Sequence, residues 1–439
     1  MPELRFDHKN LLASAVGSSH GLTNEELDAV LARHDKYQAR LRKGMEEGQL
    51  GFLSIVDDEE RLASFQAFAE RRRGSFTTLL VIGVGGSILG LQAVHAALKT
   101  YRHAGPEIEL RSIDNTDPST ILQALSGLKP EQTLTLVISK SGGTLDTLTG
   151  LAVVDDWYRR ANLPLERHLV AVHGEKPSFL SRYANERKLT TFVQPDNVGG
   201  RFSALCAVGA LPMCLLGYDG AGVVAGARAM RDHLLSCKAL DNGALINAGA
   251  QVSLARDKGK TVSVVMPYAS RLRTMGDWYV QLWAESLGKN RDLENRPTKA
   301  GQHALVGVGA TSQHSMLQLL IEGPNSAVTT FIEVEAFETE LALPTEFPWQ
   351  DAGAEYLSGR RLDDIIRAQL VGTVASLTEA SRPNATITLP RVTPATLGEL
   401  LMFFEVQTAF AAYFWNVNAF DQPAVERGKA ITRERLAGG

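Results

Sequence analysis

Short apolar runs rich in β-branched residues alternate with stretches of helical periodicity from residue 78 onward. In the first half of the chain these runs cover residues 78–82, 108–113, 133–138, 168–172 and 190–194. Strands that are separated by helices of this size indicate right-handed βαβ units and a parallel sheet. The first half is therefore predicted to form an α/β domain.

A second set of apolar runs covers residues 261–266, 304–308, 327–334 and 385–389. The segment 305–312 is similar to the segment 81–87, as expected if two α/β domains share one plan. We expect a division near residue 220. The predicted parts are an N-terminal helical segment over 1–70 that packs on the second domain, a first domain over 71–220 and a second domain over 221–439.

Helical patterns lie at both ends of the chain. Residues 22–48 read as one charged amphipathic helix that begins near Thr23, with Glu26 placed for a capping box. A long helix is predicted from Leu397 to Trp415, and another after Asp421. These helices would lie at the periphery of the two domains.

Composition and charge exclude several classes of protein. The 439 residues, 44% of them apolar and 21% charged, are enough for two or three globular domains. A net charge of −4 provides no basic field for nucleic acid. The chain has three cysteines, no long apolar run and a polar, acidic N-terminus. These features favour a cytoplasmic protein without a membrane span, a disulfide framework or a zinc cluster.

The segment 135–144 carries the strongest candidate chemistry. A predicted strand ends at Ser139, and Lys140, Ser141 and Thr144 follow around two glycines. Ligands of open α/β sheets bind beyond the carboxyl ends of the strands, and a helix N-terminus there favours an anion. Because Lys140 precedes the glycines, this is not a nucleoside-triphosphate loop, and we expect the phosphate of a smaller molecule. The alternative is a capped helix with an exposed lysine.

The segment 81–90 contains a second glycine-rich turn, in which Ser87 follows Gly85 and Gly86. It resembles a dinucleotide fingerprint with Asp114 as a ribose contact, but Ile88 occupies the position of the third glycine. A nucleotide loop, a sugar-phosphate loop and a plain turn all remain open here. The Ser87 hydroxyl could bind a substrate or cap a helix.

Two charged residues are candidates for chemistry on a substrate. Arg201 follows the pair Gly199–Gly200, and its guanidinium could stabilise negative charge on a substrate oxygen. Glu285 lies near the end of an aromatic-rich helix, where burial would raise a carboxylate pKa toward that of a general base. The plain alternatives are a surface arginine and a helical glutamate paired with Lys289.

Three further candidates lie late in the chain. His314 follows a predicted strand at the edge of the second sheet, where it could transfer a proton or simply begin a helix. Gln422 and Lys429 lie near the C-terminus, where the alternative is a polar helix face.

Together these motifs resemble the glucose-6-phosphate isomerase family, in its short bacterial form. The resemblance runs from about residue 75 to 430, and the motifs occur in the family's order. Its most specific parts are GlyGlyArgPheSer (199–203), GluSerLeuGlyLys (285–289), GlnHisSer (313–315) and the segment from AspGln to GlyLys (421–429).

This resemblance implies two sugar isomerase (SIS-type) three-layer α/β/α domains with central, mainly parallel sheets, in a homodimer with sites at the subunit boundary. It implies isomerisation of glucose 6-phosphate to fructose 6-phosphate in glycolysis and gluconeogenesis, without cofactor or metal. By this resemblance, Arg201 would stabilise the enediolate, and Glu285 would move the proton between C2 and C1. His314, from the partner subunit, would assist ring opening with Lys429, while Gln422 orders the C-terminal loop. The implied sugar- and phosphate-binding residues are Gly86, Ser87, Ser139, Lys140, Ser141 and Thr144.

The sequence departs from the family at two positions. Asp146 stands where glutamate is common, and Gly143 stands where a hydroxyl residue is usual. Two other classes remain open: a non-catalytic sugar-phosphate sensor, which the joint presence of Glu285, Arg201 and His314 disfavours, and a nucleotide-dependent dehydrogenase, which the missing third glycine disfavours.

Overall fold

The computed structural model describes residues 1–99 and 107–438, and within them the chain forms two five-stranded sheets and a two-stranded hairpin. The strands are β1 (Arg5–Asp7), β2 (Thr78–Ile82), β3 (Glu109–Ile113), β4 (Thr133–Ser139), β5 (Leu169–Gly174), β6 (Thr190–Gln194), β7 (Val262–Pro267), β8 (Lys289–Arg291), β9 (Pro297–Ala300), β10 (His303–Val306), β11 (Ala327–Val334) and β12 (Asn384–Leu389).

Helices separate most of these strands. They are α1 (Ala13–Val16), α2 (Asn24–Leu31), α3 (His34–Glu46), α4 (Gly51–Ser54), α5 (Glu59–Arg72), α6 (Leu89–Leu98), α7 (Pro118–Leu125), α8 (Leu145–Arg160), α9 (Leu165–His168), α10 (Phe179–Glu186), α11 (Ala210–Leu215), α12 (Gly220–Ser236), α13 (Gly243–Lys258), α14 (Arg273–Leu287), α15 (Leu317–Glu322), α16 (Leu362–Glu379), α17 (Pro394–Trp415) and α18 (Val425–Ala437).

The first sheet has the order β3-β2-β4-β5-β6, and every pairing in it is parallel. β2 and β4 at its centre are buried along their whole length, as continuous apolar runs of a sheet covered on both faces must be. The five strands predicted in this half are confirmed, with ends that differ by no more than two residues.

The second sheet has the order β1-β12-β11-β7-β10. Its four later strands are parallel and were predicted, whereas β1 pairs antiparallel with β12, so that Arg5 lies opposite Thr388. The N-terminus thus supplies an edge strand that the sequence analysis did not predict, because three residues show no periodicity. The parallel-sheet α/β fold is confirmed, while the domain boundaries at 70 and 220 stay predictions.

The N-terminal helical pattern is two helices and not one. α2 ends at Leu31 and α3 begins at His34, although Ala32 and Arg33 are both compatible with a helix. The predicted capping box is present: Glu26 N donates to Thr23 Oγ1 at 3.2 Å, and Thr23 N donates to Glu26 Oε2 at 2.8 Å.

One core joins the two sheets. It contains Val81 and Leu136 of the first sheet, Val265 and Ile332 of the second, and much of α17, which contacts α12, α13 and α14. The predicted helix from Leu397 to Trp415 is this α17, which begins earlier, at Pro394. α18 is the opposite case, since none of its residues is buried. No helix within residues 1–99 and 107–438 has both the length and the apolar character required to cross a bilayer.

Candidate active site

The loops that follow β2, β4 and β6 meet at the carboxyl edge of the first sheet. A Cβ atom at Gly86 would lie 2.2 Å from the carbonyl carbon of Gly200, so only glycine permits this approach. The hydroxyl of Ser203 donates to the carbonyl oxygens of Gly200 at 2.6 Å and of Gly86 at 3.2 Å. This contact fixes the turn over 85–87 against the loop that carries Arg201.

Three hydroxyls form a cluster where β4 ends and α8 begins. Ser139 Oγ lies 3.1 Å from Thr144 Oγ1 and 3.5 Å from Ser141 Oγ, and the last two atoms are 3.2 Å apart. Thr144 is the N-cap residue of α8, but its side chain makes no capping hydrogen bond. The hydroxyls and the free N–H groups of a 16-residue helix can therefore act together on one phosphate. We call Ser139, Ser141 and Thr144 the hydroxyl cluster.

The ammonium of Lys140 points away from the hydroxyl cluster. It donates to the carbonyl oxygens of Asp196 at 2.7 Å and Val198 at 2.8 Å, and so connects this turn to the arginine loop. Burial lowers its pKa, and nearby Asp196 opposes that shift. The role of Lys140 in binding phosphate stays a prediction. In the structure its ammonium connects the loop after β4 to the loop after β6.

Ser87 lies beside Gly86 without a partner. The N-cap residue of α6 is Ile88, which is not capped by a side chain, so the capping alternative for Ser87 does not describe this turn. Among the residues that the structure describes, the Ser87 hydroxyl makes no hydrogen bond. Asp114, the ribose contact of the dinucleotide interpretation, accepts a hydrogen bond from Gln92 Nε2 at 3.3 Å.

Arg201 is 4% exposed and is held on three sides. Its Nε donates to Ser286 Oγ at 2.7 Å, its Nη1 to Gln422 Oε1 at 3.0 Å, and its Nη2 to the carbonyl oxygens of Ala419 and Asp421. Burial lowers the pKa of Arg201, and the carboxylates of Glu285 and Asp421 oppose that shift. The guanidinium is therefore fixed in orientation before any ligand binds, which favours electrostatic stabilisation of a transient oxyanion.

Glu285 reaches the same place from the other sheet. It lies on α14, which follows β7, and its Oε1 is 3.6 Å from Nη1 of Arg201. Gln281, one turn earlier, donates to its Oε2 at 3.1 Å. The Glu285 side chain is 28% exposed, so its surroundings are wetter and more polar than the sequence analysis expected.

Lys289 does not pair with the carboxylate of Glu285. Its ammonium donates to the backbone oxygen of Glu285 at 3.0 Å and to that of Asp421 at 2.7 Å, and it also pairs with the carboxylate of Asp421 at 3.3 Å. Burial lowers the pKa of Lys289, while Asp421 raises it. The helical pair that was the plain alternative for Glu285 is thus absent, and Lys289 instead ties α14 to the C-terminal segment.

The segment 417–422 covers Arg201. Phe420 packs against both Phe52 and Phe202, with ring centroids 6.1 and 5.2 Å away, and this holds the carbonyl oxygens that accept from the arginine. Gln422 at its end is exposed except for the bond to Arg201. Gln422 thus ends the segment with a direct contact to Arg201, while its role in ordering the C-terminal loop stays a prediction.

His314 and Lys429 are not part of this cluster within one chain. Both side chains are exposed, and Lys429 on α18 pairs with Glu426 at 2.7 Å. Neither residue makes a hydrogen bond or ion pair with Arg201 or Glu285 among the described residues. Within those residues, no group of three His, Cys, Asp or Glu side chains is arranged to hold a metal ion.

Several supporting residues were not predicted. Ser286, Lys289 and Ser203 lie inside motifs that the sequence analysis quoted, so their positions were visible although their roles were not. Gln281 and the Ala419 carbonyl group gave no signal, because their contacts depend on the packing of distant segments.

The chain is similar to known proteins of one family. A family model described as phosphoglucose isomerase matches residues 63–437. A probable glucose-6-phosphate isomerase of Methanococcus maripaludis is 38% identical over 99% of this chain and 95% of its own length. A glucose-6-phosphate isomerase of Carboxydothermus hydrogenoformans is 37% identical over 98% of this chain and 94% of its own length.

Two solved structures have folds similar to that of this chain. A Thermus thermophilus protein that was solved as a hypothetical protein is 33% identical, with a TM-score of 0.88 over 99% of this chain and all of its own. A glucose-6-phosphate isomerase of Chlamydia trachomatis is 23% identical, with a TM-score of 0.86 over 99% of this chain and 88% of its own. At this level of identity, the second likeness shows the fold alone.

Proposed function

Because the chain belongs to the phosphoglucose isomerase family, we propose that it is an aldose–ketose isomerase that interconverts glucose 6-phosphate and fructose 6-phosphate. The observation that carries the proposal is the meeting of Arg201 and Glu285, at 3.6 Å, from elements of two different sheets. This reaction requires one base that takes and returns a proton, and one fixed cation beside the oxygens of the enediolate.

In the proposed reaction the hydroxyl cluster and Ser87 anchor the sugar phosphate. The carboxylate of Glu285 removes the C2 proton of glucose 6-phosphate and returns it to C1, while the hydroxyl proton on O2 is transferred to O1, and the reverse reaction uses the same path. As the C1 oxygen gains negative charge, the Arg201 guanidinium stabilises it without reorganising, since Ser286 and the 419–422 segment already hold its nitrogens. When the sugar is bound, it replaces the direct contact between the Arg201 and Glu285 side chains.

Ring opening must precede the proton transfer, and we assign it to His314 with Lys429. Both are exposed in the single chain, which suits contacts made across a homodimer boundary. We therefore propose a homodimer in which His314 of one subunit completes the site of the other. The three free cysteines suit the reducing cytoplasm in which we place the protein.

A coupled assay with the purified chain tests the activity, since fructose 6-phosphate should be converted to glucose 6-phosphate without added metal or cofactor. Binding of sugar phosphate without turnover would favour the sensor alternative. Tight binding of NAD in calorimetry would favour the dehydrogenase.

Mixing two inactive variants tests the shared site. Glu285→Gln and His314→Gln chains should each be inactive, but a mixture that exchanges subunits should recover about a quarter of wild-type turnover, because half of the random dimers carry one intact site. If both residues act within one chain, the mixture stays inactive.

A further inference from the structure

Four cations lie on one exposed face at α3. Arg33 precedes the helix, and Lys36, Arg40 and Lys43 follow at the spacing of successive turns. Residues three or four positions apart on a helix are neighbours, so the four charges form one stripe. We call these four residues the cationic stripe.

Most of the cationic stripe has no acidic partner. The two acids that line the smaller of the adjoining cavities are engaged elsewhere: Glu26 with Lys258 at 2.6 Å, and Asp257 with Arg256 at 2.8 Å. Glu47 pairs with Lys43, but at 3.6 Å. Among the described residues, the side chains of Arg33, Lys36 and Arg40 make no hydrogen bond or ion pair.

Two cavities adjoin the stripe and share two residues, Arg40 and Tyr413. Their volumes are about 440 and 360 Å³, which is the range of small-molecule sites. The guanidinium carbon of Arg40 lies 4.0 Å from the centroid of the Tyr413 ring, at the border between the cavities. The lining of the larger cavity is partly polar and partly apolar, and its apolar part, which we call the floor, includes Val417, Ala419 and Phe420.

The two cavities together form one groove, with Arg40 and Tyr413 at the border between them. We infer that this groove binds a small organic polyanion, namely a compound with at least two phosphate groups attached to an apolar or aromatic body. Arg33 and Arg40 are seven residues apart, which corresponds to about 10 Å along a helix axis. A chain of phosphates spans this separation with both side chains extended, whereas one phosphate does not span it. The aromatic and aliphatic floor supplies a surface for the rest of the molecule.

This site is separate from the catalytic cluster but lies against its support. Ala419 lines the larger cavity, and its carbonyl oxygen accepts from Arg201 on the other side of the same segment. An occupant of the groove therefore packs on the segment that orients the guanidinium. The site goes beyond the proposed isomerase reaction and does not depend on it.

Isothermal titration calorimetry with ATP and with inorganic tripolyphosphate tests the proposal. The titrations are made in saturating fructose 6-phosphate, so that the proposed catalytic site is occupied. The test variant is Lys36→Gln/Arg40→Gln, and the control is Arg71→Gln/Lys129→Gln, which removes the same charges from exposed positions outside both cavities. Thermal unfolding of both variants should match wild type, because all four side chains are exposed.

We expect one site per chain, about ten-fold weaker binding in the test variant and unchanged binding in the control. Binding should weaken as salt increases, because exposed charges are screened. Tighter binding of ATP than of tripolyphosphate would show that the apolar floor contributes, and equal binding would overturn that part of the proposal. Any one of three results would overturn the site itself. These are an equal loss of binding in both variants, no binding of either probe, and a changed oligomeric state in the test variant alone.

Discussion

The first-sheet and second-sheet sides of the candidate active site are built differently. On the first-sheet side, the loops after β2 and β6 contact each other through Gly86, Gly200 and Ser203, and the hydroxyl cluster is ready for an anion. The second-sheet side contributes one carboxylate, Glu285, from the solvent-accessible end of a helix, and leaves His314 exposed. The first-sheet side is thus suited to binding a phosphate, and the second-sheet side is suited to proton transfer.

Arg201 stands at the border between these two sides. Its loop belongs to the first sheet, but its Nε donates to Ser286 of α14 and its other nitrogens hold the C-terminal segment. Variants on the first-sheet side should therefore change KM, a Glu285 variant should change kcat, and an Arg201 variant should affect mainly the transition state.

The largest expected effect is that of Glu285→Gln. The amide keeps the shape of the side chain and loses the base, so kcat should fall by about 10³–10⁴-fold while KM stays nearly constant. Steady-state kinetics in the coupled assay measures this. Glu46→Gln, an exposed change on α3, is the control, and a rise in KM with constant kcat would assign Glu285 to binding.

Arg201→Lys should have the next largest effect. Lysine keeps the charge but cannot contact Ser286, Gln422 and the Ala419 and Asp421 carbonyl groups together, so kcat should fall by about 10²–10³-fold. Turnover should fall more than substrate affinity, which equilibrium binding measures separately. Equal losses in turnover and affinity would make Arg201 a substrate clamp and would break the distinction between the two sides.

Thr144→Val removes one member of the hydroxyl cluster. A hydrogen bond to a charged phosphate contributes about 1.5–3 kcal/mol, so KM should rise by roughly ten-fold or more with little change in kcat. Thr149→Val, one turn further along α8, is the matched control, because its hydroxyl only donates to the backbone oxygen of Leu145. A fall in kcat alone would contradict the binding role of the first-sheet side.

The smallest expected effect is a gain from Gly143→Ser. Gly143 does not have a positive φ, and a Cβ atom there would have only Ser141 O near it, at 4.0 Å. A serine can thus supply the hydroxyl that the family usually has, and KM should fall by about two- to five-fold. An unchanged KM would indicate that this position does not face the phosphate.

The sequence analysis predicted the fold well where local signals are strong. The β-branched runs at 78–82 and 133–138 are central strands, and the Thr23–Glu26 capping box starts α2. It missed the break between α2 and α3, and also strand β1, which is stabilised by pairing with β12 and by contacts such as that of Phe6 with Phe403. Both depend on tertiary contacts, which outweigh local propensity.

For the site, the motifs indicated Arg201, Glu285 and the hydroxyl cluster, but not what holds them. Lys140 and Lys289 each bind backbone oxygens of a distant segment, a role that no spacing rule predicts. Sequence patterns identify residue types at strand ends, whereas contacts between loops hundreds of residues apart appear only in the folded chain.

The most direct test of the account follows hydrogen exchange at the sugar in deuterated water by proton NMR. With wild-type protein, solvent deuterium should enter C2 of glucose 6-phosphate and C1 of fructose 6-phosphate. The Glu285→Gln variant should bind the sugar phosphate with nearly unchanged affinity and incorporate none. Continued incorporation by this variant would contradict the assignment of Glu285 as the base that acts opposite Arg201.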